Sequence, residues 1–250
     1  MQAVLYVCHG SRVKEANEQA RFFTEQAMKL VNAPIQEVCY LELAAPSIAQ
    51  GFATCITKGA TRIAVVPVLL LTAVHAKEDI PNELLYVKRQ YPNVTVTYGK
   101  PFGVHNSIID ILLERIDVNQ AGEGARVLLV GRGSSDTDVK RDMKQIAQLL
   151  EEAHPFQSVE ICFLAAAEPR FEEAIKTAAA TQTQLFVVPY LLFTGLLMKG
   201  MEREVQRYGN HVVLCSYLGY HTHLQQILAE RANETIRGEA FVSNYSPYGR

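Results

Sequence analysis

Short, continuous apolar runs recur along the first half of the chain: AVLYV (3–7), VCYLEL (38–43), IAVVPVLLL (63–71) and VTVTY (94–98). Amphipathic segments separate them. In the segment from Val13 to Leu30, the residues Val13, Ala16, Ala20, Phe23, Ala27 and Leu30 fall on one face of a helix. Uninterrupted apolar strands that alternate with helices predict a parallel sheet covered on both faces.

The same order then repeats. The second set of runs is RVLLV (126–130), VEICFL (159–164), LFVVPYLLF (185–193) and VVLCSYL (212–218). Landmarks repeat with it. His9-Gly10-Ser11 becomes Arg132-Gly133-Ser134, and Cys39-Tyr40-Leu41 with Pro46 becomes Cys162-Phe163-Leu164 with Pro169. Val66-Pro67 with Thr72 becomes Val188-Pro189 with Thr194, and Gly103-x-His105 becomes Gly219-x-His221. This pattern predicts an α/β protein of two similar doubly wound domains that arose by internal duplication. Each domain has a parallel four-stranded sheet flanked by helices, with strand order 2-1-3-4. The expected boundaries are 1–120 for the first domain and 121–237 for the second, joined near the AGEG at 121–124, with a loose tail over 238–250. Two such domains packed face to face leave a cleft, a preferred place for a ligand.

Composition narrows the function classes. The chain has 250 residues and a formal net charge of −2, with no basic block to follow a phosphate backbone, so nucleic acid is not an expected partner. No apolar run approaches the roughly 20 residues needed to cross a bilayer. The five Cys include no C-x-x-C pair and read as buried, reduced thiols of a cytoplasmic protein. The Gly-rich loops invite a phosphate reading. However, Gly131-x-Gly133 is only part of a dinucleotide fingerprint, and no GxxxxGK[ST] is present. A phosphohydrolase with His9 as nucleophile is also disfavoured, since no Arg immediately precedes His9.

Candidate chemistry gathers where the halves differ. In open parallel sheets, ligands bind beyond the C-terminal ends of the strands. His9 follows the first strand, Glu42 ends the second and His75 follows the third. Two imidazoles and a carboxylate with open positions suit a divalent first-row metal such as Fe(II), Co(II) or Ni(II). Taken singly, each has a plain alternative: a helix cap or loop bond for His9, a solvated strand end for Glu42, a polar helix start for His75. The joint pattern is more informative. In the second half His9 becomes Arg132, Glu42 becomes Ala165 and His75 becomes Leu197, so all three disappear together. His105 and His221 occupy equivalent places in both halves, which favours a structural role at a helix start. Glu78 and Asp79 either begin the next helix, where acids and a Pro in the first turn are favoured, or serve the metal. A short Gly-Ser turn into a helix can receive an anion. Ser11 and Arg12 in one loop, and Arg132 and Ser134 in the other, are therefore candidate contacts to an acidic substrate. The apolar stretches Leu69–Val74 and Leu191–Met198 are mostly expected to be core.

The segments CHGSR, YLELAAPSI, VPVLLLTAVHAKEDIP, YGKPFG, VGRGSSDTDVKRD and VPYLLFTGLLM resemble the sirohydrochlorin chelatases of the class II chelatase superfamily, over about residues 3–235. The resemblance implies Fe(II) insertion into sirohydrochlorin, a tetrapyrrole with eight carboxylates, with release of two protons. It further implies no ATP and no organic cofactor, with Fe(II) as substrate metal and Co(II) or Ni(II) as alternatives. His9 and His75 are implied as the paired active-site histidines, shared between ligand and base roles. Glu42 is implied as the acid that completes the metal site. A cobalt-inserting enzyme of cobalamin synthesis and a non-catalytic tetrapyrrole or metal carrier are the other readings. The iron enzyme is preferred because the tail has no Cys and no His after His223.

Overall fold

The structure is a computed structural model, and it describes residues 1–122 and 124–241. The first half runs β1 (Gln2–Cys8), α1 (Lys14–Met28), β2 (Ile35–Tyr40), α2 (Ile48–Thr57), β3 (Arg62–Val68), α3 (Ile80–Gln90), β4 (Thr95–Tyr98) and α4 (Asn106–Ile116). The second half repeats it as β5 (Arg126–Gly131), α5 (Thr137–Ala153), β6 (Ser158–Phe163), α6 (Phe171–Ala179), β7 (Leu185–Tyr190), α7 (Leu196–Val205), β8 (Val212–Leu214) and α8 (Thr222–Arg237). Two four-stranded parallel sheets result, ordered β2-β1-β3-β4 and β6-β5-β7-β8, as the sequence pattern predicts. Among the described residues no helix is long and apolar enough to cross a membrane.

Past their first residues, the central strands carry no polar residue because helices cover both faces. Ala3 to Val7 in β1 and Ala64 to Val66 in β3 are fully buried. Alternate residues of β1 (Ala3, Leu5 and Val7) join Phe52 and Cys55 of α2 and Leu84 and Val87 of α3 in one cluster. Pro67 fits a central strand because β4 stops short of it. The last β3–β4 pair is Val65–Tyr98, so the missing N–H of Pro67 has no β4 residue opposite. Pro189 lies likewise past the last β7–β8 pair, Val187–Leu214.

Two apolar runs overshoot their strands. β2 stops at Tyr40 and β3 at Val68, which leaves Leu41-Glu42-Leu43 and Leu69-Leu70-Leu71 in loops at the C-terminal edge. The face predicted for α1 holds at Ala16, Ala20, Phe23 and Ala27, but Leu30 lies past the helix end and is exposed. Thr24 takes a place on the buried face, since its hydroxyl donates to the Ala20 carbonyl one turn back and needs no water. Within 191–198, Leu192 and Met198 are buried, whereas Leu196 and Leu197 are exposed.

Two compact units form, and each takes its last helix from the other repeat. One unit comprises Met1–Gly103 and the chain from Gln225; the other comprises Val104–Leu224. These units differ from a linear division at residue 120. α8 is seated by Arg231, which donates to the carbonyls of Pro101 and Phe102, and by Thr235 against Gly99, where a Cβ would meet the threonine hydroxyl at 2.1 Å. In the second unit, Arg115 of α4 donates to the Leu218 carbonyl and Glu114 pairs with His221 at 2.9 Å. Both exchanged helices are capped by histidine. The His105 ring accepts from the Ser107 N–H and the His221 ring from the His223 N–H, each at 3.2 Å. Of the tail expected from Gly238, residues 242–250 lie outside the described residues. Phe241 is tied down, with its N–H on the Val96 carbonyl and its own carbonyl receiving Lys88 Nζ.

Candidate metal centre

The site begins with a backbone clip. After β1, Gly10 takes φ +92, a left-handed conformation. A Cβ there would lie 1.8 Å from the Glu42 carbonyl oxygen, so only glycine lets the two loops touch. The clip is closed by the Glu42 N–H, which donates to the His9 carbonyl at 3.1 Å. It therefore holds His9 and Glu42 next to each other whatever their side chains do.

His75 reaches the same point from β3. It opens a π-turn over His75–Asp79, in which the Ile80 N–H returns to the His75 carbonyl. Such wide turns recur at functional sites because they re-aim side chains. Tyr98 of β4 secures the turn by donating its hydroxyl to the Ala76 carbonyl at 2.8 Å. Burial pushes the Tyr98 phenol well above its ordinary pKa, so it stays a donor.

His9 Nε2 lies 3.0 Å from His75 Nε2 and 3.7 Å from Glu42 Oε1. Metal–nitrogen bonds of about 2.1 Å meeting near a right angle would put two nitrogens about 3.0 Å apart. The other ring nitrogens set the tautomers. His9 Nδ1 is 2.9 Å from the Gly10 carbonyl, which can only accept, so Nδ1 carries the hydrogen. His75 Nδ1 is 2.7 Å from Asp79 Oδ2. When both Nδ1 atoms donate, both Nε2 atoms present lone pairs to each other, with a carboxylate alongside. A metal ion between the two nitrogens relieves that arrangement. Among the described residues no group of three or more His, Cys, Asp or Glu already stands as a finished metal cage. His9 is the hub and Glu42, about half exposed, has room to swing in. An ion that must be handed on needs such open positions.

Cys8 precedes His9 but is no ligand. Burial pushes its thiol up to about 12, and its sulfur faces the Thr24 hydroxyl at 3.8 Å.

Of the other candidates, the two serines are tied into their own turns. Ser11 Oγ accepts from the Val13 N–H, and Ser134 Oγ accepts from the Asp136 N–H, so both shape the turn before a helix. Arg12 and Arg132 are exposed. Gly133 has φ +91, and a Cβ on it would strike the Ala165 carbonyl at 1.8 Å. The second half therefore keeps the clip without the ligands. α7 is a regular α-helix, with Met201 standing where the first half has Asp79. Sequence reasoning offered a loop bond for His9 without naming the Gly10 carbonyl, and left Asp79 undecided. The clue to Asp79 was its spacing of four from His75.

A family model described as CbiX matches residues 3–119 and again 126–235. The chain is 54% identical, over 94% of its length and 91% of the relative's, to a sirohydrochlorin ferrochelatase of Priestia megaterium. It is 36% identical, over 96% of its length and 81% of the relative's, to a sirohydrochlorin cobaltochelatase of the same species. Its structure is similar to that of SirB from Bacillus subtilis with Fe3+, at TM-score 0.86 and 46% identity, covering 94% of this chain and 95% of that one. With the model matched twice, once over each sheet, the chain belongs to the CbiX family.

Proposed function

We propose that this chain is a sirohydrochlorin ferrochelatase: it inserts Fe(II) into sirohydrochlorin, giving sirohaem and two protons. The chemistry is a lyase-type exchange in which one doubly charged ion replaces two pyrrole protons, so it needs neither ATP nor an organic cofactor. The observation that carries the site reading is the close approach of two imidazole nitrogens, His9 Nε2 and His75 Nε2, beside the Glu42 carboxylate. These three residues hold the ion while it sheds water. As the ion passes to the ring nitrogens, the vacated imidazole or carboxylate accepts a pyrrole proton, acting as general base. Ser11 and Arg12, and in the second half Arg132 and Ser134, are proposed to meet the pigment's carboxylates. The five unpaired, buried thiols fit a cytoplasmic setting.

The test is anaerobic incubation of substoichiometric protein with sirohydrochlorin and Fe(II), followed by the change in pigment absorption. Turnover of excess pigment is expected. Binding without turnover would make the protein a carrier, and no acceleration with any divalent metal would overturn the reading. Cobalt is the second reading, favoured by the cobaltochelatase relative. Insertion rates at controlled free Fe(II) and Co(II) decide between them, with iron expected to be faster.

A further inference from the structure

We propose that Asp79 is a positioning residue that fixes the tautomer of His75 and makes that imidazole the anchoring ligand of the metal ion. The inference rests on the reading of His9, Glu42 and His75 as the metal seat. Asp79 lies in the helical backbone that carries the π-turn straight into α3, with φ −66 and ψ −52, and its side chain makes no cap hydrogen bond. Its oxygen turns back to His75 Nδ1 at 2.7 Å. Nδ1 and Nε2 lie on opposite sides of the ring, so Asp79 backs the imidazole and leaves Nε2 facing His9.

A carboxylate that accepts from Nδ1–H keeps the proton off Nε2 and makes Nε2 a stronger electron donor. His9 has a weaker backer, the neutral carbonyl of Gly10. The two arms of the seat are therefore unequal. The ion is held hardest by His75 and let go first by His9, a useful order when it must pass to a ring. The second half supports the link between Asp79 and the metal. Where His75 gives way to Leu197, Asp79 gives way to Met201, and the π-turn gives way to a regular helix.

The experiment compares the wild-type chain with Asp79→Asn and His75→Ala. An asparagine can offer its amide N–H to Nδ1 and so hold the other tautomer. Co(II) is titrated without pigment and followed by its visible absorption, while nitrogen-15 spectra of the metal-free chain report the His75 tautomer. The Asp79 side chain is 44% exposed, so the variant is expected to melt as the wild type does. Asp79→Asn should weaken Co(II) binding about 10- to 100-fold and populate the Nε2–H form of His75. Either readout left at its wild-type value overturns the inference, while His75→Ala still weakens binding. If His75→Ala itself binds Co(II) as tightly as wild type, the metal seat falls, and the role of Asp79 with it.

Discussion

The loop after β1 and the loop after β5 are the same backbone carrying different chemistry. Gly10 and Gly133 share φ values of 92 and 91, and each presses on a carbonyl of the neighbouring loop. Leu43 and Ala166, one residue past those carbonyls, are both left-handed, at 61 and 52. The strain is repeated in the half that has Arg132, Ala165 and Leu197 instead of His9, Glu42 and His75, so it belongs to the fold rather than to the proposed chemistry. The chemistry we propose belongs instead to a few side chains: His9, Glu42, His75 and the Asp79 behind it. The comparison separates what the β1 loop must be from what it does.

The largest effect should come from breaking the clip. Gly10→Ala and Gly133→Ala each force a Cβ into a backbone oxygen and are expected to cost about 3 kcal/mol or more, measured by urea denaturation. If Gly133→Ala were tolerated, the two loops would not be equivalent. Next come the ligands. His9→Ala and His75→Ala should each slow Fe(II) insertion at least about 100-fold, a loss of about 2.7 kcal/mol in the transition state, at unchanged urea midpoint. Wild-type rates in both variants would remove the site assignment. The comparison can also be pushed the other way, by grafting Arg132→His, Ala165→Glu and Leu197→His into the second half. Lacking the π-turn and a partner for the new His, the graft should bind Co(II) about 10- to 100-fold more weakly than the native seat. Equal binding would show that the turn and its Asp are dispensable. Arg132→Ala alone should raise the KM for pigment only a few-fold, about the 1 kcal/mol of one exposed charge pair. An unchanged KM and rate would leave that loop a structural turn. Smallest is the expected absence of an effect. Burial pushes Cys8, Cys55 and Cys215 up to about 12, so few thiolates form and iodoacetamide at pH 8 should leave all three unmodified in the native chain. Mass spectrometry after labelling checks this.

Strand order and the closeness of His9, Glu42 and His75 were legible because both follow from local rules, an apolar run per strand and polar groups at C-terminal strand ends. Strand ends were less legible. Leu41 and Leu69 are as apolar as the strands they follow, because they still pack on the core from loops. Asp79 was ambiguous for a different reason. An acid near a helix start has a plain capping role, and only the direction of its carboxylate excludes it. The helix exchange was hidden altogether. Repeat length counts residues between similar motifs, whereas the partner of α8 is decided by Arg231 on the Pro101 and Phe102 carbonyls, contacts far apart in sequence.

That exchange sets a timetable for the nascent chain. His9, Glu42 and His75 leave the ribosome early, but the unit that carries them includes α8, which ends at Arg237. At about 5–20 residues per second, the interval between Gly103 and Arg237 is on the order of ten seconds. During that time the ligands exist without the helix that Pro101, Phe102 and Gly99 are shaped to receive. The proposed seat for iron is thus among the last parts of the molecule to be finished, although its residues are among the first to be made.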